Sequence, residues 1–307
     1  MQWGQIKTLF ILCFLVLDIF LIQQFINNRD TEYPFIQEST REEFLRANIE
    51  GLDELKEEST KEPNLYAARK VFTTEEIDAI NNFDNQQAEV IDSNLILSKF
   101  DEPVPIDFEG NYLETLQGKI LYLDSFVFWS KNEASNTVVF FQKNNSLPIY
   151  FNQSALLVIV LDEEGRMVQY SQTMLEKREE KGETYDLIKA FDAVSNLYYN
   201  TSELSSGDEI TQNKLGYHNL IPLPNGVQVL APTWRITVNN QRNYFVNAIE
   251  MHSYYRDEKT FLSETINGLV TTIQVINEAT TEDNELLTEM EVNYKEILES
   301  TSWSGEK

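Results

Sequence analysis

Apolar positions run almost unbroken from residue 8 to residue 26, interrupted by one acid, Asp18, near the middle. At about 1.5 Å per helical residue this stretch covers roughly the ~30 Å hydrocarbon core of a bilayer, so the pattern predicts a transmembrane helix over 8–26. Residues 20–27 read Phe-Leu-Ile-Gln-Gln-Phe-Ile-Asn and offer no small-residue cleavage site. Leu12 is too large to precede a lipoprotein-type processing site at Cys13. The expectation is an uncleaved anchor in which Cys13 is an ordinary apolar helix residue.

Past a polar connector, Thr40 and Glu43 form a capping box that predicts a helix running to Leu55. Residues 50–62 hold few apolar positions and read as a solvated stalk. A second capping box, Thr73 with Glu76, opens a short helix whose Ile77, Ile80 and Phe83 recur at helical spacing. From Lys119 the period shortens. Runs at 120–129, 137–142, 148–151, 155–161 and 167–174 are β-branched and aromatic, with turn signals at 132–136, 144–146 and 163–165. That spacing predicts hairpins in an antiparallel meander and disfavours a doubly wound fold.

A charged run at 176–183 marks a boundary, followed by a helix over 185–199 with Leu187, Ile188, Phe191, Val194, Leu197 and Tyr198 as its stripe. Strands are expected at 227–230, 234–238 and 244–253. Trp234 and Ile236 share one face and pair with 244–248 across an Asn239-Asn240 turn, with the preceding helix as cover. Trp234 is either core or an exposed interface anchor, and its strand position favours core. Leu262, Ile266, Leu269, Ile273 and Ile276 form a helical seam, although 271–276 is β-branched enough for a strand; helix is favoured. Leu286, Leu287, Met290, Tyr294, Ile297 and Leu298 give the tail an apolar face that docks on its own domain or on a partner, the former being the simpler reading. The fold class is therefore α+β: a single N-terminal transmembrane helix, then two extracytoplasmic units, each an antiparallel sheet with a packed helix. The divisions are 1–7 cytoplasmic, 8–26 spanning, 27–62 stalk, 63–176 first unit, 184–256 second unit and 257–307 acidic extension.

Charge narrows the function. Fifty Asp and Glu against 24 Lys and Arg give a net charge of -26, which repels a phosphate backbone and argues against nucleic acid as a partner. The α-amino group and Lys7 on one side, against Arg29 followed at once by Asp30 on the other, favour a cytoplasmic N-terminus. The residues beyond the anchor contain no cysteine, so the outer body depends on its own core, for which 18 Phe, 14 Tyr and 4 Trp are ample.

Catalytic parts are not found. His218, read as lying in a loop, and His252 have no neighbour at metal-ligand spacing, and there is no G-x-S-x-G elbow, S-x-x-K motif or phosphate-cradling glycine loop. Carboxylate pairs are too common here to be diagnostic, and residues 162–165 read as a hairpin turn rather than a calcium loop. No catalytic, cofactor-binding or metal residue is assigned, and the chain is not read as an enzyme. The position that stands out is Asp18: an acid at mid-bilayer costs about 2.5–3.5 kcal/mol unless protonated or paired. Phe14, Leu15, Leu21 and Ile22 lie beside it on a helix, and this face is the expected contact with a partner in the membrane. A tolerated, protonated Asp18 is the alternative.

Trp3, Ile6-Lys7-Thr8 and the run 11–25 with Leu17-Asp18 are similar to the start of the YycI (WalI) family. Gly207-Asp208-Glu209-Ile210, Leu215-Gly216-Tyr217, Pro232-Thr233-Trp234-Arg235-Ile236 and Tyr244-Phe245-Val246-Asn247-Ala248 resemble the C-terminal unit shared by YycI and its sister family YycH. The resemblance covers 1–255, with 40–118 matched only in general character, and the acidic tail after Arg256 is longer than it leads one to expect. It implies a single-span regulator of a Gram-positive cell-wall two-component system, with a YycH-like sister protein and a WalK-type sensor histidine kinase as partners, and neither enzymatic activity nor a cofactor. The competing readings are a membrane-tethered ligand-binding or folding module for peptide or wall fragments, which needs a concave apolar groove, and a wall hydrolase, which needs a carboxylate pair in a cleft.

Overall fold

The computed structural model describes residues 3–29, 38–55, 60–108, 110–178, 183–222, 226–279 and 284–302. The chain divides into two compact units, Met1–Asn48 and Ile49–Lys307.

The first unit holds two helices, α1 (Trp3–Arg29) and α2 (Glu38–Asn48). α1 is unbroken over 27 residues, about 40 Å. Among the described residues no helix is long and apolar enough to cross a membrane. α2 begins two residues before Thr40, which therefore lies within the helix rather than capping it. It ends at Asn48 instead of reaching Leu55: Gly51 takes φ 78° and opens a single 3-10 turn, Leu52–Glu54. Leu52 and Leu55 are buried, so this part of the expected solvated stalk belongs to the second unit's core.

In chain order the second unit comprises β1 (Lys61–Pro63), β2 (Leu65–Arg69), α3 (Thr74–Asn81), β3 (Gln86–Ile91), β4 (Leu95–Val104), α4 (Tyr112–Leu116), β5 (Phe126–Asn132), β6 (Thr137–Asn144), β7 (Leu147–Tyr150), β8 (Leu156–Leu161), β9 (Met167–Thr173) and β10 (Leu175–Lys177). Then follow β11 (Thr184–Asp186), α5 (Ala190–Tyr199), β12 (Ile210–Pro222), β13 (Val227–Val238), β14 (Arg242–Asn247), β15 (Ser253–Tyr255), α6 (Glu258–Ala279) and α7 (Glu285–Ser302). β1 and β11 form a small separate ribbon, and the other thirteen strands join in one sheet.

That sheet has two regions. In the first, the order β5-β6-β8-β9-β4-β3 is antiparallel throughout. All six residues of β8 are buried, because helices cover both faces. Leu157, Ile159 and Leu161 pack with Phe72 and Ile80 around α3 and with Leu116 of α4. Leu156, Val158 and Val160 pack with Leu262, Ile266 and Ile273 of α6 and Met290 and Tyr294 of α7. The acidic extension thus supplies one wall of the core, and its apolar face docks on its own domain.

In the second region β13 has β12 along one edge and, along the other, β2 and then β14. Pro232 falls where that edge passes from β2 to β14. Its carbonyl accepts from Ala248 there, and the N–H it lacks has no strand partner to serve. β7 joins the regions, as a hairpin off β6 (Lys143 opposite Pro148) and parallel to β12 (Tyr217 opposite Ile149). The fold is mixed α+β as expected, but the two sheets are one continuous structure.

Several expectations shift. The capping box of Thr73 and Glu76 forms as predicted. β5 starts at Phe126 rather than at residue 120, because Tyr122 takes φ 56° and a 3-10 turn precedes the strand. Residues 184–186 pair as β11, so the helix expected from 185 starts at Ala190. The two strands expected at 227–230 and 234–238 are the single β13, and 244–253 divides into β14 and β15 around a turn with Met251 at φ 61°. β12, which carries His218, replaces the expected loop.

Candidate interaction sites

On α1 the helical period brings Asp18 together with Phe14, Leu15, Leu21 and Ile22, three or four residues away on either side. All five are exposed, the four apolar ones by 51–57%. The acid is thus flanked by exposed apolar side chains.

The family-like motifs in the second unit have structural duties. Gly51 at φ 78° lies against β12, where an added Cβ would fall 2.2 Å from the Ile210 carbonyl oxygen. Asp208 accepts from the Ser205 amide (2.8 Å), the Asn239 side chain (2.8 Å) and Arg242 (2.5 Å). Burial acts to raise its carboxyl pKa, but these hydrogen bonds and the Arg242 charge outweigh it and hold the group below the usual carboxylate value. The Asn239-Asn240 turn it grips has both residues at positive φ, 53° and 55°, as a type I′ turn requires. Trp234, 4% exposed, pairs with Val246 and donates its indole N–H to the Ile188 carbonyl at 2.9 Å, which makes it core. Gly216 leaves room for Tyr150 where β7 meets β12.

Where the sheet regions converge, Phe141, Tyr150, Phe151, Phe245 and Phe261 form a buried aromatic cluster. At its rim Arg235 of β13 lies 4.9 Å over the ring of Trp129 from β5. The Trp129 indole donates to Glu258 Oε2 at 2.8 Å, and Ser130 hydrogen-bonds the same carboxylate. Glu258 thereby ties the start of α6 to β5. Arg235 donates to Gln212 Oε1 at 2.7 Å, while its buried Nε has no hydrogen-bond partner among the described residues. Burial lowers the guanidinium pKa from its ordinary value. Sequence reasoning placed Arg235 only in a motif and Trp129 only in a strand; no local signal links residues so far apart in the chain.

His218 is buried and stacked on Tyr254, with ring centroids 5.2 Å apart. Its Nδ1 lies 3.1 Å from the Asn219 carbonyl oxygen, which fixes the proton on that nitrogen and leaves Nε2 as a buried acceptor without a partner among the described residues. Burial pushes its pKa down. Among the described residues no group of His, Cys, Asp and Glu is arranged to hold a metal ion. Among the described residues a cleft of about 440 Å³ has a mixed lining that includes Lys99, Asp162 and Asn293 beside Val160, Val168 and Ile297, and a cleft of about 420 Å³ lies along α6 at Ile91, Val275 and Ile276.

No curated protein matches the chain. The family model described as YycI protein matches residues 31–249, more than two thirds of the chain, starting after α1 and ending before β15, α6 and α7. YycI is a regulatory family in the setting of two-component signalling, and the chain belongs to it.

Proposed function

We propose that this chain is a single-pass membrane regulator with a cytoplasmic N-terminus and an extracytoplasmic body, which modulates a WalK-type sensor histidine kinase controlling cell-wall homeostasis together with a YycH-like sister protein. Membership of the YycI family supports the regulatory role. The observation that supports the mode of action is the exposure of Asp18 and the apolar residues beside it on α1, in the stretch 8–26 whose sequence reads as an anchor. In a bilayer Asp18 seeks a polar partner, and the face beside it packs on another helix. Regulation requires that this contact differ between two kinase states, since equal affinity for both would shift nothing. Co-purification of the full chain with the kinase and the sister protein in detergent tests the reading. Retention by wild type, with loss in Asp18→Leu and in a chain lacking residues 1–26, supports it. Full retention in both variants moves recognition to the outer body, and no complex in wild type refutes the partnership.

A further inference from the structure

Lys214 of β12 and Arg235 of β13 are directly opposite in the antiparallel register. Opposed residues project from the same face with Cβ atoms about 4.5–5.5 Å apart, where like charges destabilise the pair. In a chain with twice as many acids as bases, a nearby carboxylate would be easy to supply, yet among the described residues none lies within ion-pair distance of either cation. Glu258, the acid beside Trp129, is already engaged by Trp129 and Ser130. Arg235 meets the Trp129 face, the neutral acceptor Gln212 and, electrostatically, the Tyr150 phenol, while its buried Nε has no hydrogen-bond partner among the described residues. Lys214 and Gln212 are exposed, and Trp129 and Arg235 are partly so.

We infer that Lys214 and Arg235, with Trp129 as an apolar platform, form a docking site for an acidic side chain of a partner protein. Arg with its fork of donors suits a carboxylate, and Trp and Arg are the residues most often found to anchor protein interfaces. A carboxylate placed between the two cations removes their repulsion and is attracted by both. The site lies in the second unit and does not depend on α1 or on kinase control. Its electrostatics are local, because the net charge of -26 repels an acidic ligand everywhere else.

The test is a titration of the full chain in detergent micelles with an acetylated hexaglutamate amide, following the Trp129 indole N–H resonance, assigned by Trp129→Phe. The expected result is saturable movement of that resonance, with affinity about tenfold weaker in Lys214→Gln and in Arg235→Gln. Lys214→Gln, at an exposed position, also separates a binding role from a structural one: the free variant melts at a higher temperature than wild type because the repulsion is gone. No movement of Trp129, equal binding by the variants, an equal response to inorganic phosphate, or a lowered melting temperature in Lys214→Gln overturns the proposal.

Discussion

A β-carbon added to Gly216 would sit 2.3 Å from Cε2 of Tyr150 and 2.5 Å from the Pro148 carbonyl oxygen, so glycine at 216 is what lets β7 run beside β12. This contact joins the two regions of the sheet. Gly216→Ala should lower stability by about 1–3 kcal/mol or more, as overpacking does. Gly268, exposed on α6 with nothing within 4 Å of an added Cβ, is the control: Gly268→Ala should raise stability by about 0.5–1 kcal/mol. Urea midpoints of the two variants check both signs.

The α6–α7 hairpin lies beyond the family match but not beyond the core. Met290 and Tyr294 are fully buried, while Val292 between them is 51% exposed. Met290→Ala should cost about 2–5 kcal/mol and Val292→Ala less than about 0.5, measured by chemical unfolding. Similar small losses at both sites would mean that the hairpin is an appendage.

Asp208 contributes to acid stability with a definite sign. Its folded pKa is held below the ordinary 3.8, so the unfolded chain takes up the proton first as pH falls. The stabilisation is present above about pH 3.8 and is lost through the window between that value and the lower folded one. Asp208→Asn should flatten the acid limb of the stability curve and loosen the Asn239 turn, seen as faster amide exchange at Gln241, whose N–H bonds to the Val238 carbonyl.

His218 acts in a higher window. Burial depresses its folded pKa below the ordinary 6.5, so stability should be full above about pH 6.5 and decline as pH falls toward the folded value. His218→Phe keeps a ring against Tyr254 and should remove that decline. Unfolding midpoints at closely spaced pH values between about 4 and 7 read the difference.

Much of this architecture was legible where one cause dominates. The capping box of Thr73 and Glu76, the seam of Leu262 to Ile276 and the Trp234 pairing across Asn239-Asn240 each follow from local spacing. β12 was missed because its polar stretch Thr211-Gln212-Asn213-Lys214 looks like loop when read alone; it is a strand because β13 and β7 flank it. The end of α2 and the late start of β5 turn on left-handed residues, Gly51 and Tyr122, set by tertiary contact. On α1 the placement of Phe14, Leu15, Leu21 and Ile22 beside Asp18 follows from helical period alone. The Lys214, Arg235 and Trp129 group was not legible in this way, since only the sheet brings β5, β12 and β13 together.

The central claim is that the Asp18 face of α1 biases a kinase. Autophosphorylation of the WalK-type kinase in nanodiscs, with and without the full chain, tests it most directly. Wild type should change the rate, and Asp18→Leu, with α1 otherwise intact, should lose most of that change. An effect of equal size from Asp18→Leu, or none from wild type, would contradict the account.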